Sequence, residues 1–306
     1  MVKTSTILLV ITILFFGIIM MSILGFIGLV FSGDPVENGN VAIIPVYGVI
    51  ISGDSSSFLG ESYASSTQII ELIKKANNNP EIKAIILEIN SPGGSAVASD
   101  EIGQALKDVN KTKVAWIREI GTSGGYWIAS NCDQIIANRM SITGSIGVIS
   151  SYLDYSGLID NYNVSYQRLV SGQYKDIGSP FRKLKTEEEE ILQLQLNKVH
   201  EFFIQEISTN RNLPYEKTKE LSTGLFFLGV EAKDFGLIDE LGGEKEVIEY
   251  LENKLETTIE TVNYYKEPSF FEILMGTFYE GSFNTGRGFA HELKKSDKDF
   301  SVLKLI

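Results

Sequence analysis

Between Val41 and Gly147 the chain alternates short apolar runs with amphipathic stretches, and three of the runs end directly in glycine-rich turns. Val41–Val46 (VAIIPV) reads as a buried strand, followed by a turn with Gly48 and Gly53 and a serine cluster at Ser55–Ser57. Thr67–Ala76 is helical, with Ile69, Leu72 and Ile73 on one face and Asn77–Pro80 ending it. Ala84–Ile89 is the next strand, Ala98–Val109 the next helix and Val114–Ile117 the next strand. A short helix follows Gly121–Gly125, and Ile135–Ala137 is strand-like again. This rhythm predicts a layered α/β fold. Further on, a long helix is expected over Thr186–Ser208, opened by a capping box of Thr186 and Glu189, with the acidic run Glu187–Glu190 favoured by the helix dipole. Leu228–Gly242 reads as a short helix and a return strand, Glu244–Leu255 as a last helix.

Ahead of this region lies a different kind of segment. No charged residue occurs from Thr4 through Gly33, and Ile7–Phe31 is almost wholly apolar. As a helix it would reach ~37 Å at ~1.5 Å per residue, against a hydrocarbon core of ~30 Å. A cleaved signal peptide would have a shorter apolar region and a small-residue cleavage site, whereas no alanine occurs before Ala42. An uncleaved transmembrane anchor is therefore expected, and Lys3 on its leading flank favours the N-terminus inside with the body of the chain on the extracytoplasmic side. Three regions follow: an anchor over 1–33, an α/β domain over 34–255, and an aromatic, glycine-interrupted tail over 256–306.

Charge and composition exclude several classes. With 27 Lys and Arg against 39 Asp and Glu, the net charge of −12 repels phosphate backbones and argues against a nucleic-acid partner. The one cysteine, Cys132, cannot form an intrachain disulfide or a Cys-rich zinc module. The two histidines, His200 and His291, form no HExxH motif, so no metal or other cofactor is expected.

Chemistry is then sought in the three turns: Ser91-Pro92-Gly93-Gly94, Gly121-Thr122-Ser123-Gly124-Gly125 and Thr143-Gly144-Ser145-Ile146-Gly147-Val148. Glycines let tight strand-to-helix turns form. At the carboxyl ends of strands they also leave backbone N–H groups exposed, and a pair of these makes an oxyanion hole. No P-loop motif is present, and no GxGxxG opens a helix after the first strand. Ser123, between small residues and just ahead of a helix, is well placed to be a nucleophile. It needs a base. His200 falls in the long charged helix, where it reads as a solvated side chain, and His291 lies in the irregular tail, which leaves a lysine.

The anchor, the strand VAIIPVYGVI and the series NSPGG, TSGGYWIAS, TGSIGVI and SGQYKDIGSPFR together resemble the signal peptide peptidase A family, also called protease IV, over about Val41 to Gly243. The resemblance implies a crotonase-like fold shared with the Clp protease subunit and a Ser–Lys peptidase that degrades residual signal peptides in or near the membrane. It places the nucleophile on Ser123, the general base on Lys175, the oxyanion-hole amides on Gly94 and Gly124, and the lysine-orienting hydroxyl on Ser145. Thr122 stands where many members have alanine. The chain carries one copy of the domain, and one-copy members form a dome-shaped homo-oligomeric ring in which neighbouring subunits donate the serine and the lysine. A basic lysine must lose its charge, which burial on assembly would promote; Asp176 would oppose this unless an extended backbone turns it away. Two rival readings remain at this point: an acyl-CoA hydratase or isomerase on the same fold, and a membrane-anchored scaffold without activity.

Overall fold

The computed structural model describes residues 4–31, 39–53 and 63–265, with side chains from 11 to 26 in the first stretch. The linker at 32–38, the serine cluster at 55–57 and the tail from 266, with His291, lie outside the described residues. The chain divides into two units, Asn38–Tyr265 and Met1–Glu37 with Lys266–Ile306. In the latter, helix α1 runs Thr4–Phe31 over 28 residues, and each of its described side chains is exposed. Among the described residues no helix is long and apolar enough to cross a membrane; residues 11–26 account for about 24 Å of helix at ~1.5 Å per residue.

The unit Asn38–Tyr265 is a mixed α/β layer structure. Strand β1 (Val41–Tyr47) leads through β2 (Val49–Ile51) and β3 (Tyr63–Ser65) into helix α2 (Ser66–Asn78). Strand β4 (Ala84–Ser91), helix α3 (Ala96–Lys107), strand β5 (Thr112–Thr122), helix α4 (Gly124–Ser130) and strand β6 (Gln134–Ala137) follow. After β7 (Ile142–Gly144) come α5 (Ser156–Asn161), α6 (Thr186–Asn210), α7 (Tyr215–Leu221), β8 (Phe226–Leu228), α8 (Gly229–Phe235), β9 (Glu240–Leu241), α9 (Glu244–Leu255) and β10 (Thr261–Asn263). The main sheet runs β10-β1-β4-β5-β6-β9, parallel throughout that order.

From β1 to β4, β5 and β6 the sheet grows in one direction, so right-handed crossovers put α2, α3 and α4 on the same face. Strand alternation supplies both cores. Ala42, Ile44, Val46, Ile85, Leu87, Ile89, Ala115 and Ile117 face these helices, and α6 adds Phe203 and Ile207. Val41, Ile43, Ala84, Ile86, Val114 and Trp116 face the other way and meet Val247 and Leu251 of α9. Each fully buried Ile or Leu contributes about 1.5–3 kcal/mol by leaving water.

Helix starts follow local chemistry. Ser65 and Ser95 cap α2 and α3, accepting the N–H groups of Gln68 and Ala98, each at 3.3 Å. The box at α6 is one residue earlier than the sequence suggests: Glu188, not Glu189, reaches back, accepting the Lys185 N–H at 3.0 Å. Glu188 is also buried against Arg182 rather than solvated.

The compact unit closes at Tyr265, ten or so residues past the boundary read at 255. Strand β10 pairs in parallel with β1, Val41 opposite Thr261, a three-residue strand too short to show a period. Tyr264 is 2% exposed, and its hydroxyl accepts from Asn79 Nδ2 at 3.0 Å, tying the end of the unit to the C-cap of α2. Tyr265 beside it is 50% exposed. Tyr264→Ala should lower unfolding stability by about 3–5 kcal/mol, and Tyr265→Ala by less than about 0.5 kcal/mol, both read from denaturant midpoints.

Candidate active site

The three glycine-rich turns converge because strand register forces them to. Ser91 of β4 lies opposite Gly121 of β5 after a bulge, and Gly121 lies opposite Thr143 of β7. One row across the sheet thus holds the start of each turn. Thr143 Oγ1 locks the row by donating to Gly121 O at 2.8 Å. Strand β6 pairs with Val114–Ile117 of β5, while β7 pairs with Ile120–Thr122 on the continuation of the same strand. Ser123, Gly94 and Ser145 therefore emerge at the carboxyl ends of parallel strands, where open α/β sheets bind ligands.

Ser123 occupies the N-cap of α4 with φ 51° and ψ −121°, and its hydroxyl makes no capping bond. A non-glycine residue with positive φ is strained by roughly 1–3 kcal/mol and persists only where its surroundings hold it. Here they do so through the backbone: Ser123 N–H donates to Gly144 O at 2.8 Å, and Ser123 O accepts from Trp127 N–H at 2.9 Å. Its side chain is half-buried, and among the described residues its hydroxyl is bonded to nothing.

Close approach explains the neighbouring glycines. A Cβ on Gly93 would sit 2.7 Å from Gly124 N and 2.8 Å from Ser123 Cβ. On Gly124 it would sit 2.3 Å from Ser99 Oγ, with Gly94 N at 3.4 Å. Gly94 N–H and Gly124 N–H are thereby neighbours beside the Ser123 hydroxyl, and neither has an acceptor among the described residues. Two such amides can hold a developing negative charge.

Ser145 is the next residue after the carbonyl that receives the Ser123 N–H, and it too has positive φ, 49°. Its N–H donates to Leu225 O at 2.9 Å and its hydroxyl donates to Gly224 O at 3.1 Å. With its proton committed there, the Ser145 oxygen is left as an acceptor.

Lys175 makes no hydrogen bond to this cluster among the described residues. It is exposed, and its amine has no partner among the described residues. The backbone around it is a run of turns, not an extended strand, with Lys175 N–H donating to Gly172 O at 3.2 Å and Ile177 N–H to Tyr174 O at 3.1 Å. Asp176 is kept from Lys175 by two arginines rather than by strand alternation. Arg168 donates to it at 2.7 Å and Arg182 at 3.0 Å, and these bonds hold its carboxyl well below the usual carboxylate range. Arg182 also grips Glu188 at 2.7 Å and holds that carboxyl down to about 2. Tyr174 donates to Glu187 of α6, so the Lys175 segment is moored to the first turn of that helix.

Of the two histidines, only His200 lies among the described residues. His200 is half-buried, with Nε2 enclosed and unpaired among the described residues, so it is not the solvated side chain the sequence suggests. Residues not singled out from the sequence also shape the site: Ser91, Ile50 and Ser99. Ser91 stood in the NSPGG run, but only the structure shows what its hydroxyl holds.

A model of peptidase family S49 matches residues 105–258, a stretch containing Ser123, Ser145 and Lys175. The chain belongs to peptidase family S49. It is 31% identical over 240 residues to a candidate protease of Methanocaldococcus jannaschii, covering 78% of this chain and 76% of that one. A candidate signal peptide peptidase SppA of Enterococcus faecium is 33% identical over 234 residues, 75% of this chain and 68% of its own. The chloroplastic serine protease SPPA of Arabidopsis thaliana is 31% identical over 190 residues, 61% of this chain and 28% of its own. Membership of S49 makes the chain a serine protease and sets aside the acyl-CoA reading.

The S49 site carries a stability signature that needs no activity assay. Ser123→Gly removes the torsional strain and Ser123→Ala does not, so Ser123→Gly should be the more stable of the two by about 1 kcal/mol. Thermal unfolding of both purified variants measures the difference, and equal midpoints would contradict the strain.

Proposed function

We propose that the chain is a membrane-anchored serine endopeptidase with a Ser123–Lys175 dyad, acting on cleaved signal peptides and other membrane-associated peptides. The observation that carries the reading is the unengaged hydroxyl of a strained Ser123 beside the two unpaired amides of Gly94 and Gly124. Ser123 Oγ attacks the peptide carbonyl carbon while its proton passes to the Lys175 amine. The carbonyl oxygen takes the negative charge and is held by Gly94 N–H and Gly124 N–H. Lys175 then gives the proton to the leaving amine, and a water molecule hydrolyses the resulting acyl-enzyme. Ser145 accepts an N–H of the lysine, which turns the nitrogen lone pair toward Ser123.

The lysine comes from a neighbouring subunit of a homo-oligomeric ring. Support lies in the exposed Lys175 on its moored turn, and in apolar side chains left in the open on the same excursion: Ile149 90%, Leu153 66% and Leu169 99% exposed. Burial of these residues between subunits would place Lys175 in surroundings that disfavour its charge. A crotonase-like arrangement is in keeping with the parallel sheet and the crossover helices α2, α3 and α4 that share one of its two covered faces. Helix α1, uncharged from Thr4 to Phe31, supplies the anchor, with the N-terminus inside and the protease unit on the extracytoplasmic face of the cell membrane.

Lys175→Arg keeps the charge but cannot be deprotonated, so it should abolish turnover of a fluorogenic peptide while leaving assembly intact. Co-assembly of Ser123→Ala with Lys175→Ala chains should restore part of the activity, and co-assembled mixtures as inactive as either parent would place the dyad within one chain. For the orientation, protease added to sealed right-side-out vesicles should digest the unit beyond the anchor; full protection of that unit would reverse the topology.

A further inference from the structure

The Gly93–Gly94 peptide is the weakest part of the oxyanion hole as built. Flanking glycines without Cβ atoms permit a rotation of this peptide plane that other residues would resist. A flip would exchange its N–H for its C=O and present a carbonyl where the hole needs a donor. One bond opposes that exchange directly, and a second fixes the peptide that precedes it. Gly93 O accepts the Ile50 N–H at 2.9 Å, and in a planar trans peptide this directs the Gly94 N–H the opposite way, away from β2. Gly93 N–H donates to Ser91 Oγ at 3.1 Å, and Ser91 Oγ itself donates to Gly48 O at 2.6 Å.

Ser91 is fully buried, so it cannot touch a substrate. Its carbonyl also lies under the first turn of α4, where a Cβ on Gly125 would sit 3.0 Å from Ser91 O. The hydroxyl therefore ties together Gly48, at the turn between β1 and β2, and the backbone just before Gly94. Ser95 N–H completes the staple by donating to Ile50 O at 2.8 Å.

We infer that Ser91 is a positioning residue for the oxyanion hole: its hydroxyl fixes the Pro92–Gly93 peptide, and with it the Gly93 Cα from which the next peptide, held at Gly93 O by Ile50 N–H, offers the Gly94 N–H to the reacting carbonyl. This inference rests on the peptidase reading of Ser123. It separates Ser91 from an ordinary buried serine, because an oxyanion donor acts in the transition state more than on the bound substrate.

The test uses the full chain in its assembled form, a fluorogenic peptide amide, a peptide aldehyde whose adduct with Ser123 carries an oxyanion, and the corresponding product peptide as a non-covalent ligand. Removing one oxyanion donor outright costs about 10²–10³ in kcat, so Ser91→Ala, which misdirects a donor, should lower kcat by roughly 30-fold. KM should stay within about twofold, the aldehyde should weaken by a factor similar to the kcat loss, and the product peptide should bind as before. Ser91→Cys, of similar size but a poorer donor and acceptor, should fall between wild type and Ser91→Ala, and is the decisive variant should Ser91→Ala not fold. A folded variant that keeps kcat within about threefold overturns the inference. So does a kcat loss without a matching loss of aldehyde affinity, which would indicate a structural role alone. Ser123→Ala distinguishes the two levels: if it turns over peptide like wild type, the peptidase reading itself fails, whatever Ser91 does.

Discussion

Strand β5 is shared along one edge by β6 and then by β7, and the arrangement of the site depends on that division. The 11 residues of β5 give their first half to the sheet proper and their second half to a short strand that carries Gly144 and Ser145. Had β6 continued along the whole edge, Ser123 N–H would have lost its acceptor at Gly144 O. Thr143 and the β4 bulge then keep the three turns level across the row. A displacement of one residue in either pairing would separate the nucleophile from its amides, because successive residues of a strand face opposite sides.

The parts legible in the sequence were those with a strong period or an unusual composition. Val41–Val46, Ala84–Ile89 and Val114–Ile117 are buried strands because both faces of the sheet are covered, which makes them continuous apolar runs. The turns that carry Ser123, Gly124 and Gly94 were visible as glycine clusters at strand ends, a pattern tight turns alone also produce, and it was the family resemblance that assigned the amides to Gly94 and Gly124. Strands β2, β7, β8 and β10 were not legible: each has three residues, and pairing partners distant in sequence define them. The boundary at 255 failed for the same reason, since Thr261–Asn263 becomes a strand only against β1. Ser91 belonged to a motif, but a hydroxyl bridging Gly48 O and Gly93 N–H is a relation between two turns and has no sequence period.

The segment around Lys175 follows a different logic from the core. Little apolar surface holds it, and charge does much of that work: Arg168, Arg182, Asp176 and Glu188 form one connected cluster. Both carboxyls have their pKa depressed in the folded chain. Their contribution is present above the ordinary carboxylate range and is lost only as pH falls through the lower folded values. At neutral pH this mooring keeps its charges. Arg168 lies toward solvent, so its pair with Asp176 is weakened and screened by salt, whereas Arg182, Asp176 and Glu188 are largely enclosed.

The torsion at Ser123 sets stability against the side chain found there. A φ of 51° with ψ −121° is a conformation in which glycine is the comfortable residue, and glycines already flank the position on its C-terminal side. Glycine in its place would relieve the strain and lose the hydroxyl. Serine at that torsion is a standing cost to the fold, and its hydroxyl, which makes no capping bond, returns nothing to the helix it precedes.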